Sequence, residues 1–141
     1  MNIIVCLDNN HGTMFNHRRQ SMDQVVREKI HEITMGEIIW MNAYSVKQFL
    51  DTHSRISNLH ISEKYLELAT GNDYCFVEGA KLKKYENKIK KIYIFYWNRT
   101  YPADQYFDLN LDDYKVEKSE DFIGNSHEKI TLKTYRKRSC I

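Results

Sequence analysis

The feature that most constrains the fold is a regular order in which short apolar runs alternate with segments of helical periodicity. The first run, Asn2–Leu7, is unbroken and rich in β-branched residues, which is typical of a strand buried on both faces. Three more apolar runs follow at Glu37–Met41, Tyr74–Val77 and Ile92–Trp97. Strands that alternate with helices form mostly parallel sheets with right-handed crossovers. We therefore predict an α/β fold with a mostly parallel sheet flanked by helices.

Two further strands are predicted near the C-terminus, at Tyr114–Ser119 and Lys129–Tyr135, with Glu120–Glu128 between them. No helix separates them, and strands joined by a short connection pair antiparallel. The sheet is therefore expected to end in a C-terminal antiparallel strand pair. The preceding segment, Asn98–Asp113, is interpreted as a long connection. Since the chain has no repeat and no linker, residues 1–141 are predicted to form a single domain.

Four helices are predicted between these strands, and the first two begin with capping boxes. In a capping box a Ser side chain accepts a backbone hydrogen bond while a Gln three residues later reaches back, and Ser21–Gln24 and Ser45–Gln48 fit this pattern. Two further helices are predicted after Ser62 and after Ala80, and Asp51–Ile61 is interpreted as a loop. The apolar faces expected to point inward are Met22, Val26, Ile30 and Ile33, then Val46, Phe49 and Leu50, then Tyr65, Leu66 and Ala69, then Leu82, Tyr85 and Ile89.

The composition is that of an ordinary globular protein and gives no indication of a nucleic-acid-binding, membrane or secreted protein. The formal net charge is +2, which is too small to indicate a nucleic-acid-binding protein by itself. No segment approaches the roughly 20 apolar residues of a membrane span, so we expect no membrane partner and no signal peptide. Cys6, Cys75 and Cys140 are odd in number, and two of them fall in predicted buried strands, which indicates reduced thiols and a cytoplasmic location. The oligomeric state is left open.

Polar and charged residues concentrate between the first strand and the first helix. Asn16, His17, Arg18 and Arg19 lie there, directly before the predicted helix start. Open α/β sheets bind ligands at the carboxyl ends of their strands, and helix N-termini attract anions. Two adjacent arginines there predict a phosphate or carboxylate site, with a solvated basic turn as the alternative. If both arginines are exposed, their removal is expected to change stability by no more than about 0.5 kcal/mol.

His17 and Asp23 are the candidate catalytic residues of this segment. A histidine titrates near neutral pH, and a carboxylate close to it could share general acid–base work. The alternative is a polar, hydrogen-bonded turn. No His, Cys, Asp or Glu spacing of a known metal motif is present, so no metal ligands are predicted.

Two basic segments offer a different class of function. Lysines recur through Lys81–Lys91, and Arg136–Arg138 adds three more cations near the C-terminus. Together they could bind nucleic acid, although a solvated helix face is the simpler interpretation. The aromatic residues of Ile92–Trp97 alternate across both faces of a strand and are interpreted as sheet packing. Asn125–His127 is interpreted as turn chemistry, with a return toward the first loop as the alternative.

The order of elements and several short motifs resemble a shortened dihydrofolate reductase. Met41–Ser45 stands where those enzymes have a strand end, Met-Gly-Arg-x-Thr, that opens a helix. Phe76–Lys81 is similar to their strand followed by a glycine pair, which faces the NADPH pyrophosphate. The resemblance implies ligand contacts from Asn42, Ser45, Gly79 and Lys81, and makes Asp23 the nearest match to the family's acid. Further similar segments are Lys91–Ile94, Ala103–Asp104, Phe107–Asp108, Tyr114–Val116, Asn125–His127 and Thr134–Arg138.

The chain also departs from this family at the positions that hold the cofactor. The Gly-Arg pair is replaced by Asn42 and Ala43, and the glycine pair by Glu78 and Gly79, which puts a carboxylate beside the phosphate position. Between Leu50 and Ile61 we expect no room for the strand beside the adenine, nor for the segment that ends in an Arg and holds the folate tail. We therefore expect no cofactor, with NADPH as the alternative.

The sequence thus predicts a divergent dihydrofolate reductase-like protein. It would bind a small anionic or nucleotide-like ligand at the loop after the first strand, without the usual NADPH-dependent reductase activity. One alternative is a reductase that uses NAD(P)H. Another is an RNA-binding or RNA-cleaving protein, although the His-x-His-x-Asp-His metal motif of ribonuclease Z is absent.

Overall fold

The computed structural model describes residues 1–50, 56 and 58–138, and its main feature is a seven-stranded sheet. Its five parallel strands are followed at one side by two antiparallel strands, which confirms the predicted α/β architecture. From one edge to the other, the strands are β5 (Leu59–Ile61), β4 (Ile39–Met41), β6 (Tyr74–Phe76), β1 (Asn2–Leu7), β7 (Lys91–Tyr96), β10 (Ile130–Lys137) and β9 (Tyr114–Phe122).

The first strand lies in the middle of the sheet because its residues are apolar on both faces. Ile3, Val5 and Leu7 pack into one hydrophobic cluster, and Ile4 packs into the cluster on the other side. All four are 0–2% exposed. Full burial of such a side chain contributes about 1.5–3 kcal/mol to the free energy of folding. This strand therefore contributes to the core on both faces of the sheet.

Helices cover both faces of the sheet. The face that holds Ile4 is covered by α1 (Gln24–Thr34) and α2 (Ala43–Leu50). The opposite face is covered by the one-turn helix α3 (Tyr65–Leu68) and a 3₁₀ helix, Lys83–Lys88. Of the side chains predicted to point inward, the buried ones are Val26, Ile30, Val46, Phe49, Tyr65, Leu66, Ala69, Leu82 and Ile89.

Both predicted capping boxes are wrong, because each helix begins at a different residue. Asp23 is the N-cap of α1, and its carboxylate accepts a hydrogen bond from the backbone N–H of Val25. Met22, expected on the apolar face, therefore lies outside the helix and is 48% exposed. In the second helix Asn42 caps instead, since its Oδ1 accepts from the N–H of Ser45 at 2.9 Å. Asp and Asn are as good N-cap residues as Ser, so composition alone did not distinguish them.

The segment predicted as the first loop contains two strands. β2 (Gly12–Phe15) and β3 (Arg18–Arg19) form a hairpin, and β8 (Gln105–Tyr106), within the predicted long connection, joins them in a small three-stranded sheet. Asn16 and His17 form the hairpin turn with φ of 51° and 61°. A two-residue turn with positive φ at both positions is the usual connection of a tight hairpin.

The interpretation of Asp51–Ile61 as a loop is wrong at its end, where Leu59–Ile61 forms β5. β5 pairs in parallel with β4, with Leu59 opposite Ile39. This strand is hidden in the sequence because Leu59 is only half-buried and the two residues after it are exposed. Residues 51–55 and 57 of the predicted loop lie outside the described residues.

Two of the three cysteines lie in the described part of the chain, and both are free thiols. Burial raises the pKa of Cys75 to about 12, so its thiol stays protonated at neutral pH. Cys140 lies outside the described residues. Among the helices of the described residues, none is both long enough and apolar enough to cross a membrane.

Candidate functional site

Arg19 connects three segments at the carboxyl edge of the parallel strands. Its guanidinium donates two hydrogen bonds to Glu78, from Nε to Oε2 at 2.8 Å and from Nη2 to Oε1 at 3.1 Å. The same group lies over the ring of Tyr44, 4.4 Å from the ring centre. The backbone N–H of Arg19 also donates to the Tyr44 hydroxyl at 2.9 Å. The β2–β3 hairpin, the start of α2 and the turn after β6 therefore meet at one side chain. We call Arg19, Tyr44 and Glu78 the carboxyl-edge site.

The ion pair of the carboxyl-edge site is largely shielded from water. The side chains of Arg19 and Glu78 are 18% and 10% exposed. Burial opposes the charge of Arg19, but the hydrogen bonds and the negative charge of Glu78 outweigh it and raise the pKa of Arg19 above its ordinary value. A guanidinium fork binds any planar pair of anionic oxygens in the same way. The Glu78 carboxylate thus occupies the position that a ligand carboxylate or phosphate would take.

Gly79 brings the small sheet into direct contact with the turn after β6. It has φ of +85°, and a Cβ at this position would lie 2.2 Å from Sδ of Met14 and 2.9 Å from Oε1 of Gln105. Only glycine satisfies both the backbone angle and this close approach. Two residues later, Lys81 Nζ donates to the carbonyl of Tyr106 at 3.3 Å. The predicted ligand-binding residues Gly79 and Lys81 therefore lie beside the small sheet.

The N-terminus of α2 already binds a carboxylate of the chain itself. The N–H of Ala43 donates to Oε2 of Glu63 at 2.9 Å, and the N–H of Ser45 donates to Oδ1 of Asn42 at the same distance. Ser45 is fully buried, and its Oγ has no hydrogen-bond partner among the described residues. Asn42 and Ser45 thus act first as the cap and the first turn of α2.

These contacts test whether the site fits the dinucleotide that the resemblance implies. Glu78 lies at the turn that would face a pyrophosphate, and Glu63 occupies the helix N-terminus that would attract a phosphate. Asn42 and Ala43 supply no cation. In the arrangement as it stands, two carboxylates therefore lie where the resemblance places the phosphates of a dinucleotide, and their charge opposes such a ligand.

Asp23 is enclosed by the loop between β9 and β10 and is 2% exposed. Besides its cap to Val25, the carboxylate accepts from the N–H groups of Asn125 at 3.1 Å and Ser126 at 3.0 Å. Nδ1 of His127 contacts it at 2.8 Å. Burial raises the pKa of Asp23, but the hydrogen bonds from His127 and the three backbone N–H groups outweigh burial and lower the pKa to about 2. A Cβ on Gly124 would lie 2.3 Å from Asp23 Oδ2, so the loop packs directly on this carboxylate.

His127 completes the same cluster. Its ring stacks on Trp97, with 4.5 Å between ring centres, and its Nε2 lies 2.8 Å from Ser21 Oγ and 3.2 Å from Tyr101 Oη. The interpretation of Asn125–His127 as turn chemistry alone is therefore wrong, because the loop returns to the segment before α1. No sequence signal shows this contact, since Asp23 and His127 are far apart in the chain.

The remaining predicted site residues lie at the tip of the β2–β3 hairpin. Asn16, His17 and Arg18 are exposed. The N–H of Asn16 donates to Asp104 Oδ2 at 3.0 Å, which fixes the hairpin to the connection before β8. Among the described residues, no hydrogen bond joins His17 to Asp23, and Arg18 forms no ion pair. Arg18 and Arg19 are adjacent in sequence, but they differ in environment: the first faces solvent and the second is paired.

The structure adds residues that the sequence did not suggest. Tyr44, Glu63 and Met14 contact the predicted site residues. Tyr44 falls within the Met41–Ser45 segment of the resemblance, but nothing in that segment marked it as a site residue. Within residues 1–50, 56 and 58–138, no group of three or more His, Cys, Asp or Glu side chains is placed to hold a metal ion.

Comparisons with known proteins agree with the architecture. No protein-family model matches the chain, and no curated protein matches it by sequence. By structure, it is similar to dihydrofolate reductase from Enterococcus faecalis, determined in complex with NADP(H) and RAB-propyl. The TM-score is 0.69 and the identity 9%, and the match covers 98% of this chain and 96% of that chain. The chain therefore has the dihydrofolate reductase fold.

Proposed function

We propose that this protein binds a small anionic or nucleotide-like ligand at the carboxyl-edge site and lacks the usual NADPH-dependent reductase activity. The bidentate Arg19–Glu78 pair carries this proposal. It is a recognition site for two anionic oxygens, formed where open α/β sheets bind ligands. Glu78 occupies it in the absence of a ligand.

Binding would then be an exchange of partners on Arg19. A ligand carboxylate or phosphate replaces the Glu78 carboxylate, and Glu78 turns toward water. The exposed Arg18 adds a second cation from the same hairpin. The ring of Tyr44, already in contact with the guanidinium, offers a flat surface for a ligand ring. Because Glu78 competes for the fork, a ligand with more than one negative charge has the advantage.

The other predicted site residues take supporting roles in this proposal. His17, exposed at the hairpin tip with Asn16, contacts the polar part of the ligand and can exchange a proton with it. Asn42, Ser45, Gly79 and Lys81 shape the same edge of the sheet. Asp23 acts through position, since its enclosed carboxylate fixes the start of α1 to the β9–β10 loop. This proposal does not require Asp23 to contact the ligand.

A nicotinamide-dependent reductase is the second candidate. The similar enzyme from Enterococcus faecalis was determined with NADP(H), and a strand, β5, lies in the segment where the sequence indicated no room for the strand beside the adenine. The carboxylates of Glu63 and Glu78 argue against it for the reasons given above. We therefore propose that NADPH does not bind tightly.

The experiment is a calorimetric titration of the protein with pyrophosphate, AMP, ATP and NADPH. We expect saturable binding of at least one of the first three and none of NADPH at low micromolar concentration. In the Arg18→Ala/Arg19→Ala variant the binding should be lost, because a desolvated charged contact contributes about 2–5 kcal/mol. Lys118→Ala, which removes an exposed cation from β9, is the matched control and should bind normally. Unchanged affinity in the double-arginine variant would move the site elsewhere.

A further inference from the structure

A concentration of positive charge lies at the opposite, amino-terminal edge of the parallel strands. A cavity of about 570 Å³ opens there between the starts of β1, β6 and β7 and the end of β10. Two further concavities, of about 380 and 640 Å³, share Lys137 with it and continue around the end of β10. We call the three together the amino-edge groove. It is separate from the carboxyl-edge site, since the two lie at opposite ends of the same strands.

Charge is segregated into the amino-edge groove. Its lining has eight basic and four acidic side chains, a net charge of +4, in a chain whose formal net charge is +2. The rest of the molecule is therefore net negative. The basic residues are Lys83, Lys84, Lys90, Lys91, Lys115, Arg136, Lys137 and Arg138, and the acidic ones are Glu37, Glu86, Asp113 and Glu117. The two basic segments of the sequence, distant in the chain, thus form one surface.

Part of this charge is not neutralised within the described chain. Lys91 and Arg136 share Glu117, at 3.2 and 2.7 Å. Lys90 Nζ instead donates to the amide oxygen of Asn72 at 3.4 Å, and Lys137 Nζ donates to a backbone carbonyl. Neither of these two lysines has a carboxylate partner among the ion pairs of the described residues. Both can therefore bind an external anion without breaking an ion pair.

Two tyrosines line the same cavity. The rings of Tyr74 and Tyr93 lie 5.9 Å apart at 42°, and both side chains are only partly buried. They stand on β6 and β7, the two neighbours of β1, and line the cavity together with Lys90 and Lys91 while packing on the core beneath. Phe95 and Trp97 of the same aromatic run are buried, as sheet packing requires, so Tyr93 differs from them.

We propose that the amino-edge groove binds single-stranded nucleic acid. Proteins that bind single strands combine a basic groove that follows the phosphates with aromatic rings on which bases stack, and this groove has both. A duplex is excluded as the preferred ligand because its bases are already stacked and cannot reach the two tyrosines. The proposal does not depend on the function proposed for the carboxyl-edge site.

The test is fluorescence anisotropy with a labelled oligo-U strand and an oligo-dT strand of about 12 nucleotides, titrated between about 50 and 200 mM salt. We expect saturable binding at low salt, with log affinity falling against log salt by about 0.7 for each phosphate contact. Lys90→Ala/Lys137→Ala should weaken binding at least about 10-fold and reduce this slope by about 1.4, because two phosphate contacts are lost. Tyr93→Leu should weaken binding about 10-fold with an unchanged slope, since a stacked base and not a charge is lost.

Controls separate this site from the carboxyl-edge site and from nonspecific attraction. Arg18→Ala, and Lys47→Ala on α2, each remove one exposed cation outside the groove and should leave affinity within about 2-fold. Circular dichroism spectra establish that each variant is folded. The proposal is overturned by a flat titration at low salt, by equal affinity for a duplex of the same length, or by unchanged binding in Lys90→Ala/Lys137→Ala. If the parent protein binds none of the small anions, or binds them equally well in the Arg18→Ala/Arg19→Ala variant, while nucleic-acid binding behaves as expected, the proposed function alone is refuted.

Discussion

Replacing Arg19 by alanine should destabilise the protein far more than replacing Arg18. The Arg19→Ala change leaves the Glu78 carboxylate, which is 10% exposed, without its partner, and removes the cation above the Tyr44 ring. Breaking a fully buried ion pair costs about 3–5 kcal/mol, whereas an exposed pair contributes about 0–1 kcal/mol. With side chains 18% and 10% exposed, this pair lies between those limits. We expect Arg19→Ala to cost about 2–3 kcal/mol, and the exposed Arg18→Ala about 0.5 kcal/mol or less.

A double-mutant cycle isolates the ion pair from the other contacts of Arg19. Glu78→Gln keeps the shape of the side chain and removes its charge, so it should cost about 1 kcal/mol. Arg19→Ala made in the Glu78→Gln background should then cost about 1–1.5 kcal/mol less than in the parent. The assay is urea unfolding followed by the fluorescence of Trp40 and Trp97, with the melting temperature as a second measure. A loss of 2–3 kcal/mol corresponds to a decrease of roughly 6–12 °C.

A coupling energy below about 0.5 kcal/mol would refute this reasoning, because it would mean that water screens the pair despite its burial. Equal costs for Arg18→Ala and Arg19→Ala would do the same. The sequence-based expectation that both arginines can be removed at little cost applies only to Arg18, the residue that is exposed. For this reason, the binding experiment with the double-arginine variant has to be read at a temperature well below its lowered melting point.

Three more predictions follow from the described contacts. Folding lowers the pKa of Asp23 to about 2, so above pH 4 this residue contributes roughly 2 kcal/mol to the free energy of unfolding. This contribution is lost as pH falls from about 4 to 2. Urea unfolding measured against pH should show this loss in the parent protein and not in Asp23→Asn. Gly79→Ala should destabilise the protein by more than about 2 kcal/mol, because φ of +85° disfavours any residue with a Cβ and the Sδ atom of Met14 lies where that Cβ would be. Thermal unfolding measures this, and a change below about 0.5 kcal/mol would contradict the packing. Titration with NADPH, followed by tryptophan fluorescence, should stay flat up to high micromolar concentration, and saturation at low micromolar concentration would show that Glu63 and Glu78 move aside.

The central sheet could be predicted from the sequence because its strands are marked by burial. Asn2–Leu7 and the later apolar runs are continuous, and a continuous run of this length fits a parallel strand covered on both faces. The strands that were missed lack this mark. β5 and the β2–β3 hairpin are held by backbone hydrogen bonds and turn geometry. Met14 is buried, but Phe15, Arg18 and two of the three β5 residues are exposed, so no continuous buried run marks these strands.

The candidate site could be located but not assembled from the sequence. Its position after β1 followed from a general rule of open α/β sheets, and Arg18 and Arg19 were found there. The sequence could not show that only Arg19 is paired, because its partner Glu78 lies on a different element. The enclosure of Asp23 by His127 is a contact between distant segments for the same reason. Such contacts depend on how the crossovers place each loop, which local patterns do not specify.

The central position of β1 has a consequence for how the chain is synthesised and folds. Ile3 lies opposite Cys75 on one side and Ile92 on the other, so the strand made first is completed by partners made much later. Contacts between residues so distant in sequence form slowly, since a large loop must close before any of them is gained. A nascent chain that has not yet produced β7 carries a wholly apolar strand with one edge open, and an open apolar edge pairs readily with other chains. We therefore expect the chain to be most prone to aggregation at the ribosome-bound stage, before Lys91–Tyr96 emerges.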